Sequence, residues 1–450
     1  MCREIIDCLL GKKVAILGFG LEGKSTYRFI RNYTDMHLTI IDKNDVYENN
    51  KELLEGDRNL SFITGDDYLT GLECFDLVIK SPGVITKDID TTNIHFTSQL
   101  QLLLMVNREH VIGITATKGK STTTSLTYEV LQANGIDVRL VGNIGKPIFD
   151  EIENMDKDTY MVVEMSALQL EFVTYSPHIA AILNLYEDHL DHSGTIEHYH
   201  ENKLQIFKHQ EANDFAVYFS DIEPLNSYID DGYIAKKYRL QMHSENPDSN
   251  TVYVLNNYVY LGAKKLFDIN TEINLIGEHN LRNIMVALTI SEIMNLNLEK
   301  TISAIKNFKP LEHRIELVGK YNGVIYYNDS ISTIPTATIS AIKALKDVDT
   351  LIFGGMDRGI DYGPLVEFLD SGVVRNLICM PATGHKIGNK IKNKNVFKYN
   401  VETLEEAVLR AKALTMKNKI CLLSPAAASY GYFKNFEERG KAYKKLVKEL

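Results

Sequence analysis

Short runs of consecutive apolar residues recur along the chain, and between them apolar positions return every three or four residues. Lys13-Val-Ala-Ile-Leu-Gly18, Leu38-Thr-Ile-Ile-Asp42 and Leu77-Val-Ile-Lys80 read as strands, with a helix over Ser25 to Arg31. A helix over Gln99 to Val106 precedes the run Val111 to Ile114, and a second helical segment covers Ser125 to Leu131. Tyr160-Met-Val-Val-Glu164 and Ile179-Ala-Ala-Ile-Leu-Asn184 continue the series. Such near-continuous apolar runs mark strands covered on both faces, the habit of parallel sheets. Thr251 to Leu255 and Tyr258 to Leu261 flank Asn256-Asn257, a hairpin signal that predicts a small antiparallel patch. Further on, Val324 to Asn328, Thr350 to Gly354, Asn376 to Cys379 and Ile420 to Ser424 alternate with helical segments over Pro335 to Leu345 and Leu404 to Ala413. Strand–helix alternation of this kind builds doubly wound α/β sheets. The expected division is 1–95, 96–310 and 311–450, with Lys309-Pro310 as the second link.

Bulk properties narrow the classes. A chain of 450 residues accommodates two to four domains. The formal net charge of −10 argues against broad binding to nucleic acid or a membrane surface. The five cysteines are scattered and lack metal spacing, which fits a reducing cytoplasm. The apolar stretch at Cys8-Leu-Leu is too short for a signal peptide, and no run approaches transmembrane length.

Two glycine loops carry candidate chemistry. Gly113-Ile-Thr-Ala-Thr-Lys-Gly-Lys-Ser-Thr-Thr123 follows an apolar run and opens a helix, the setting of a phosphate-binding loop. Backbone N–H groups of Thr117, Lys118 and Gly119 and the helix N-terminus would face the phosphates. Lys120 would reach the β- and γ-phosphates, and the Ser121 or Thr122 hydroxyl would ligate Mg²⁺. Gly18-Phe-Gly-Leu-Glu-Gly23, with Asp42 ending the next strand, fits a dinucleotide fingerprint. The same turn serves any diphosphate at a helix N-terminus, and a dehydrogenase leaves the second loop unexplained. A UDP-sugar fits better. Glu164 ends a buried strand, where ligands of open α/β sheets gather, and would reach the metal; its plainer role is a carboxylate paired with a lysine. Asp188-His189-Leu-Asp191 ends the next strand and suits a second metal site, although histidine is an uncommon Mg²⁺ ligand. Lys203 reads, on its own, as a solvated helix residue.

Together these residues resemble the Mur ligases, the ATP-dependent amide ligases of cell-wall precursor synthesis. The matching stretches span nearly the whole chain: Thr115 to Thr122, Gly142-Asn-Ile-Gly145, Glu164 to Glu171, Asp188 to Asp191 with Lys203, Gly277-Glu-His-Asn280 with Asn283, His313-Arg-Ile-Glu316, Asn328-Asp-Ser330, Gly354 to Gly359, and Leu423 to Ser429 followed by Phe433 to Gly440. The last is typical of the glutamate-adding member. The resemblance implies three mostly parallel α/β domains: a Rossmann-like UDP-binding unit, a phosphate-loop ATPase, and a Rossmann-like unit for the amino acid. It implies ATP and two Mg²⁺ sites. Lys120, Ser121 and Thr122 serve ATP and the metal, Glu164 the first metal, and His189 with Lys203 the second. In this family the matching lysine is carbamylated. Asn283, Arg314 and Asp329 resemble nucleotide contacts. Leu21, Glu22, Asp42, Lys43, Ser81 and Gly83 fall where the UDP-sugar is held. Asn143 looks like a contact to substrate near the metals, Ser166 and Gln169 count among the substrate-binding residues, and Thr333, Arg358, Ser429 and Phe436 fall where glutamate is held.

The implied reaction joins glutamate, the D-enantiomer favoured, to UDP-N-acetylmuramoyl-L-alanine through an acyl phosphate, in a cytoplasmic enzyme expected to be a monomer. Departures stand at Ala116, usually glycine; Lys118, usually asparagine; Ile331, usually lysine; and Arg358, usually lysine. Ile331 and Arg358 keep an L-glutamate-adding variant open. A folate polyglutamate-type ligase is disfavoured by Phe433 to Gly440. A nicotinamide dehydrogenase rests on the first loop alone, and a non-catalytic nucleotide-gated protein leaves Lys120, Glu164, His189 and Lys203 unexplained.

Overall fold

The structure is a computed structural model and describes residues 1–153, 155–186, 195–229 and 232–450. Three sheets organise it. The first holds β1 (Val14–Leu17), β2 (Leu38–Asp42), β3 (Leu60–Thr64), β4 (Leu77–Lys80) and β5 (Phe96–Thr97) in the order β3-β2-β1-β4-β5, all parallel. The second holds β6 (Val111–Thr115), β7 (Val138–Gly142), β8 (Tyr160–Glu164), β9 (Ile179–Ile182), β10 (Phe215–Phe219), β11 (Lys236–Gln241), β12 (Thr251–Leu255), β13 (Tyr258–Leu261) and β14 (Lys264–Asp268). Its order is β14-β13-β12-β11-β10-β9-β6-β8-β7, parallel from β7 to β12 and antiparallel at the β12-β13-β14 meander. The third holds β15 (Glu316–Tyr321), β16 (Val324–Asn328), β17 (Val348–Phe353), β18 (Asn376–Cys379), β19 (Phe397–Asn400) and β20 (Ile420–Leu423), in the order β15-β16-β20-β17-β18-β19. Only its β15–β16 pair is antiparallel. The α/β class with mostly parallel sheets is as expected from the apolar runs.

The chain forms two compact units. One contains Met1–Glu272 and Leu281–Phe308, the other Ile273–Asn280 and Lys309–Leu450. The first two sheets share the first unit and a continuous apolar core. Phe29, on the helix Leu21–Tyr33, meets Phe149, on the helix Ile148–Ile152, with ring centroids 4.3 Å apart. β5 lies just past residue 95 and completes the first sheet by pairing with β4.

The strands are where burial needs them. β1, β6, β9, β17, β18 and β20 are buried along their whole length, so each face meets helices or loops rather than water. The Asn256-Asn257 turn has φ of 47° and 65°, the left-handed pair that a two-residue hairpin demands and asparagine tolerates. In each sheet the order reverses around one strand end: between β1 and β4, beside β6, and between β17 and β20. Crevices at the carboxyl edge of such reversals are where ligands of open α/β sheets bind.

Candidate active site

The phosphate loop leaves β6 at Thr115 and enters the helix Lys120–Ala133. Gly119 caps the helix with φ +93°. A Cβ there would lie 2.7 Å from Asn283 Oδ1, so both the backbone conformation and the space exclude a side chain. Asn283 also accepts from Thr123 Oγ1 (3.1 Å). The loop is clamped on its other side by the residues that follow β9. Asn184 Oδ1 accepts from the Lys118 N–H (2.9 Å), Asn184 Nδ2 donates to the Lys118 carbonyl (2.8 Å), and the Thr117 N–H donates to the Asn184 carbonyl (3.1 Å). Thr117 Oγ1 accepts from the Tyr186 N–H (2.9 Å). Lys120 Nζ reaches the Thr117 carbonyl at 3.4 Å, folding its ammonium over the loop. The Thr117 and Lys118 N–H groups, expected to face the phosphates, are thus taken by Asn184, so the anion cradle falls to the N–H groups of Gly119 and the first helical turn.

Two further side chains converge on this edge. Glu164 closes β8, whose neighbour β6 pairs Ile114 with Glu164. It is buried; Oε1 accepts from Asn143 Nδ2 (2.8 Å), and Oε2 has no hydrogen-bond partner among the described residues. Lys203 comes from the helix Ile196–Lys208 and is 1 % exposed. Its Nζ donates to the Ala116 carbonyl (3.0 Å) and reaches Thr115 Oγ1 (3.4 Å), so the reading of it as a solvated helix residue does not hold. Thr122 Oγ1 is a second buried oxygen without a partner among the described residues, while Ser121 is half-buried in the first helical turn. Buried, unsaturated oxygen donors are costly unless something hard and positive meets them. The donor set therefore fits Mg²⁺. His189 lies outside the described residues, as do Asp188 and Asp191.

The first glycine loop is built differently. Gly18 has φ +85°, and a Cβ on it would meet Val84 Cγ2 at 2.6 Å. Ser81 Oγ donates to the Gly18 carbonyl (2.8 Å), and Asp42 accepts from the Phe19 N–H (2.8 Å) and the Asn44 N–H (2.8 Å). Asp42 and Ser81 thus hold the loop at the β1/β4 reversal. Leu21 and Gly83 are exposed and Lys43 lies on the surface, 3.6 Å from Asp66. Glu22, in the first turn of its helix, accepts from Gln169 Nε2 (3.0 Å). Gln169 Oε1 in turn accepts from the Ser166 N–H, closing a capping box two residues beyond Glu164. Burial pushes the Glu22 carboxyl above the usual range, opposed by the Gln169 hydrogen bond and by Lys80. Lys80 is itself buried, pairs with Glu171 at 3.3 Å, and is pulled below the ordinary lysine value by desolvation.

In the second unit, Asp329 follows β16 and is fully enclosed. Its carboxylate accepts from Ser424 Oγ (2.7 Å) and the Ile315 N–H (3.2 Å). Burial pushes its pKa up to about 6 against these hydrogen bonds and the nearby Arg314. Arg358 is exposed and donates to the Thr333 carbonyl (3.1 Å). Ser429 is buried, and its carbonyl accepts the Phe433 N–H (3.0 Å). Phe436 opens the helix Phe436–Lys448. Ile331, where a lysine was expected, is half-buried and donates its N–H to the His313 carbonyl (3.1 Å).

Residues 114–291 match the Mur ligase middle domain. A UDP-N-acetylmuramoylalanine–D-glutamate ligase of Thermoanaerobacter sp. (strain X514) is 34% identical over 457 aligned positions, covering 98% of this chain and 99% of that protein. The chain belongs to the Mur ligase family. The ligase of the same name from Clostridioides difficile (strain 630) is also 34% identical, over 98% of this chain and 99% of its own. Among solved structures, MurF ligase from Thermotoga maritima in complex with ADP superposes with a TM-score of 0.60 at 16% identity, over 97% of this chain and 94% of that one. MurF from Acinetobacter baumannii gives 0.62 at 13%, over 96% and 90%. At those identities the likeness is one of fold. It matches the α/β class expected from the sequence, and the nicotinamide alternative falls away.

In this Mur ligase chain some site residues escaped the sequence reading. Asn184 and Tyr186 fix the phosphate loop, yet the sequence marks Asn184 only as a strand end and assigns nothing to Tyr186. Their signal was position: each follows or closes a buried strand at the edge where the phosphate loop lies. Lys80 and Glu171 gave no signal, because their pairing joins residues 91 positions apart.

Proposed function

We propose that the chain joins glutamate, with the D-enantiomer preferred, to the alanine carboxylate of UDP-N-acetylmuramoyl-L-alanine at the expense of ATP, in cell-wall precursor synthesis. The observation that carries this reading is Lys203, drawn from a distant helix to the carbonyl of Ala116, beside the strand that pairs with Glu164. The near full-length identity to D-glutamate ligases supports the choice of substrates.

Chemically, the alanine carboxylate attacks the γ-phosphorus of ATP, and ADP leaves. The glutamate amine then attacks the carbonyl carbon of the acyl phosphate, the amine proton departs, and phosphate is expelled from the tetrahedral intermediate. Both steps gather negative charge. Lys120 and the N–H groups at Gly119 and the helix start neutralise it in place, without reorganisation. Glu164 and the Ser121 or Thr122 hydroxyl would hold one Mg²⁺ and His189 with Lys203 a second, and the bound ions would supply further charge neutralisation. Asn143 keeps Glu164 oriented. Lys203 acts here as a carbamate: its neutral amine adds CO₂ and releases a proton, and the cation beside the loop becomes an anion. The retained N–H still donates to Ala116. Asp42 and Ser81 hold the first loop for the uridine diphosphate, and Thr333, Arg358, Ser429 and Phe436 hold glutamate. Arg358 offers a planar fork to a carboxylate. Arg314, Asp329 and Asn283 serve the nucleotide. ATP and UDP-linked substrates support a cytoplasmic setting, and no described helix is long and apolar enough to cross a membrane.

The test is phosphate release from ATP with UDP-N-acetylmuramoyl-L-alanine and equal concentrations of D- and L-glutamate, with chiral analysis of the product. Release that requires both substrates, with D-glutamate in the product, is expected. Mainly L-glutamate would move the chain to the second reading, which Ile331 keeps open. No release would overturn the proposal.

A further inference from the structure

Arg439 sits on the helix Phe436–Lys448 and is 1 % exposed, the largest fully buried side chain described. Its Nε donates to Ser330 Oγ (3.0 Å), Nη2 to the Ser330 carbonyl (2.8 Å) and Nη1 to the Ala427 carbonyl (3.2 Å). Ser330 Oγ passes the link on, donating to the Phe436 carbonyl (2.8 Å). One guanidinium therefore ties together the segment after β16, the segment after β20 and the first turn of its own helix. Those segments carry Thr333, Ser429 and Phe436.

All three acceptors are neutral. Among the described residues no carboxylate pairs with Arg439, and burial alone lowers its pKa, to about 10. It stays charged at neutral pH. A guanidinium has five N–H groups, and only three are used. The side chain also lines a cavity of about 260 Å³ at the carboxyl ends of β17 and β18, shared with Gly354, Met380, Ser429 and Phe433. A buried cation without a counter-ion is a costly way to fill space, and apolar packing would do that better. The spare N–H groups and the positive charge make sense where an anionic reactant arrives.

We propose that Arg439 is a positioning residue for the amino-acid step, fixing the three segments that hold glutamate and setting a positive potential for its two carboxylates. This rests on the assignment of glutamate to Thr333, Arg358, Ser429 and Phe436. The test compares Arg439→Lys, Ser330→Ala and Arg358→Ala with the wild-type enzyme, varying each substrate in turn and recording thermal unfolding. Arg439→Lys keeps the charge but loses the fork; the KM for glutamate should rise about tenfold. The KM for ATP and for the UDP substrate should change less than about twofold. Ser330→Ala should raise the glutamate KM about threefold with little change in melting. A folded Arg439→Lys enzyme with wild-type glutamate KM overturns the proposal, as does a fall in kcat with all three KM values unchanged. Should Arg439→Lys fail to fold, an unchanged glutamate KM in Ser330→Ala overturns it instead. If Arg358→Ala alone raises the glutamate KM, only the role of Arg439 fails. If Arg358→Ala has no effect, the amino-acid assignment fails and takes this role with it.

Discussion

The two glycine loops of the first unit share a plan and differ in charge. Each leaves a buried parallel strand, turns through a glycine of positive φ, and opens a helix at the carboxyl edge of its sheet. At the start of its helix the loop after β6 places Lys120, whose ammonium folds over the loop. The loop after β1 places exposed Leu21 there, followed by the carboxyl of Glu22. One has a buried carboxylate oxygen, Glu164 Oε2, without a hydrogen-bond partner among the described residues; in the other the nearby carboxylate of Asp42 is occupied by two backbone N–H groups. The backbone makes an anion site possible in both. Under the proposed function, the side chains would decide which loop bears the charge of a reacting triphosphate and which only grips a diphosphate that does not react.

The sharpest way to break this contrast is Lys120→Ala. Turnover should fall by at least about 10³-fold, with the fold intact by thermal unfolding, since Lys120 is only half-buried at the start of its helix. Near wild-type ligation would remove the ATP from this loop. Lys203→Ala should cost about 10²-fold, and a short-chain carboxylic acid added to the assay should restore part of the rate, standing in for the proposed carbamate. A rate indifferent to the substitution would detach Lys203 from the metal.

On the other loop the effects should be in affinity. Asp42→Ala frees the Phe19 and Asn44 N–H groups and should raise the KM for the UDP substrate about tenfold, with the KM for ATP within about twofold. Equal changes in both would mean that the loops are not separate sites. The smallest effect belongs to Glu22→Gln, which keeps a partner for Gln169 but removes a negative charge near the diphosphate. The KM for the UDP substrate should fall by less than about threefold. Because burial raises the Glu22 carboxyl, the wild-type enzyme loses that charge as pH falls through the raised pKa, and its KM should approach that of the variant at the acid end. A gap between the two that widens toward low pH would contradict this.

Both loops, and the strands that carry them, were legible because buried parallel strands leave continuous apolar runs. β2, β8, β16 and β18 appear where the runs fall, and the hairpin follows its two asparagines. The phosphate-loop helix was read short, from Ser125, since Thr122, Thr123 and Thr124 look polar; they are buried, and Thr124 Oγ1 returns its hydrogen bond to the Lys120 carbonyl (2.9 Å). β3 escaped because it is an edge strand with Ser61 and Phe62 exposed and no residue fully buried. β10, Phe215-Ala-Val-Tyr-Phe219, carried a plain signal that was passed over. The helix Phe436–Lys448 is hidden by its charge, and Arg439 with it: nothing in a run of Glu, Arg and Lys tells that its one arginine turns inward.

The passage of Ile273–Asn280 into the second unit bears on how pieces of this family can be exchanged. Residue 308 looks like a natural joint, and a chimaera cut there would appear to transplant a whole module. It would leave behind eight residues of that module, among them Gly277, whose Cα lies where a Cβ would come within 3.1 Å of Ala344. A grafted C-terminal half must therefore bring its own version of this short segment, or accept the host's against a foreign surface. The two units are interleaved in the chain, and recombination at a single point cannot separate them cleanly.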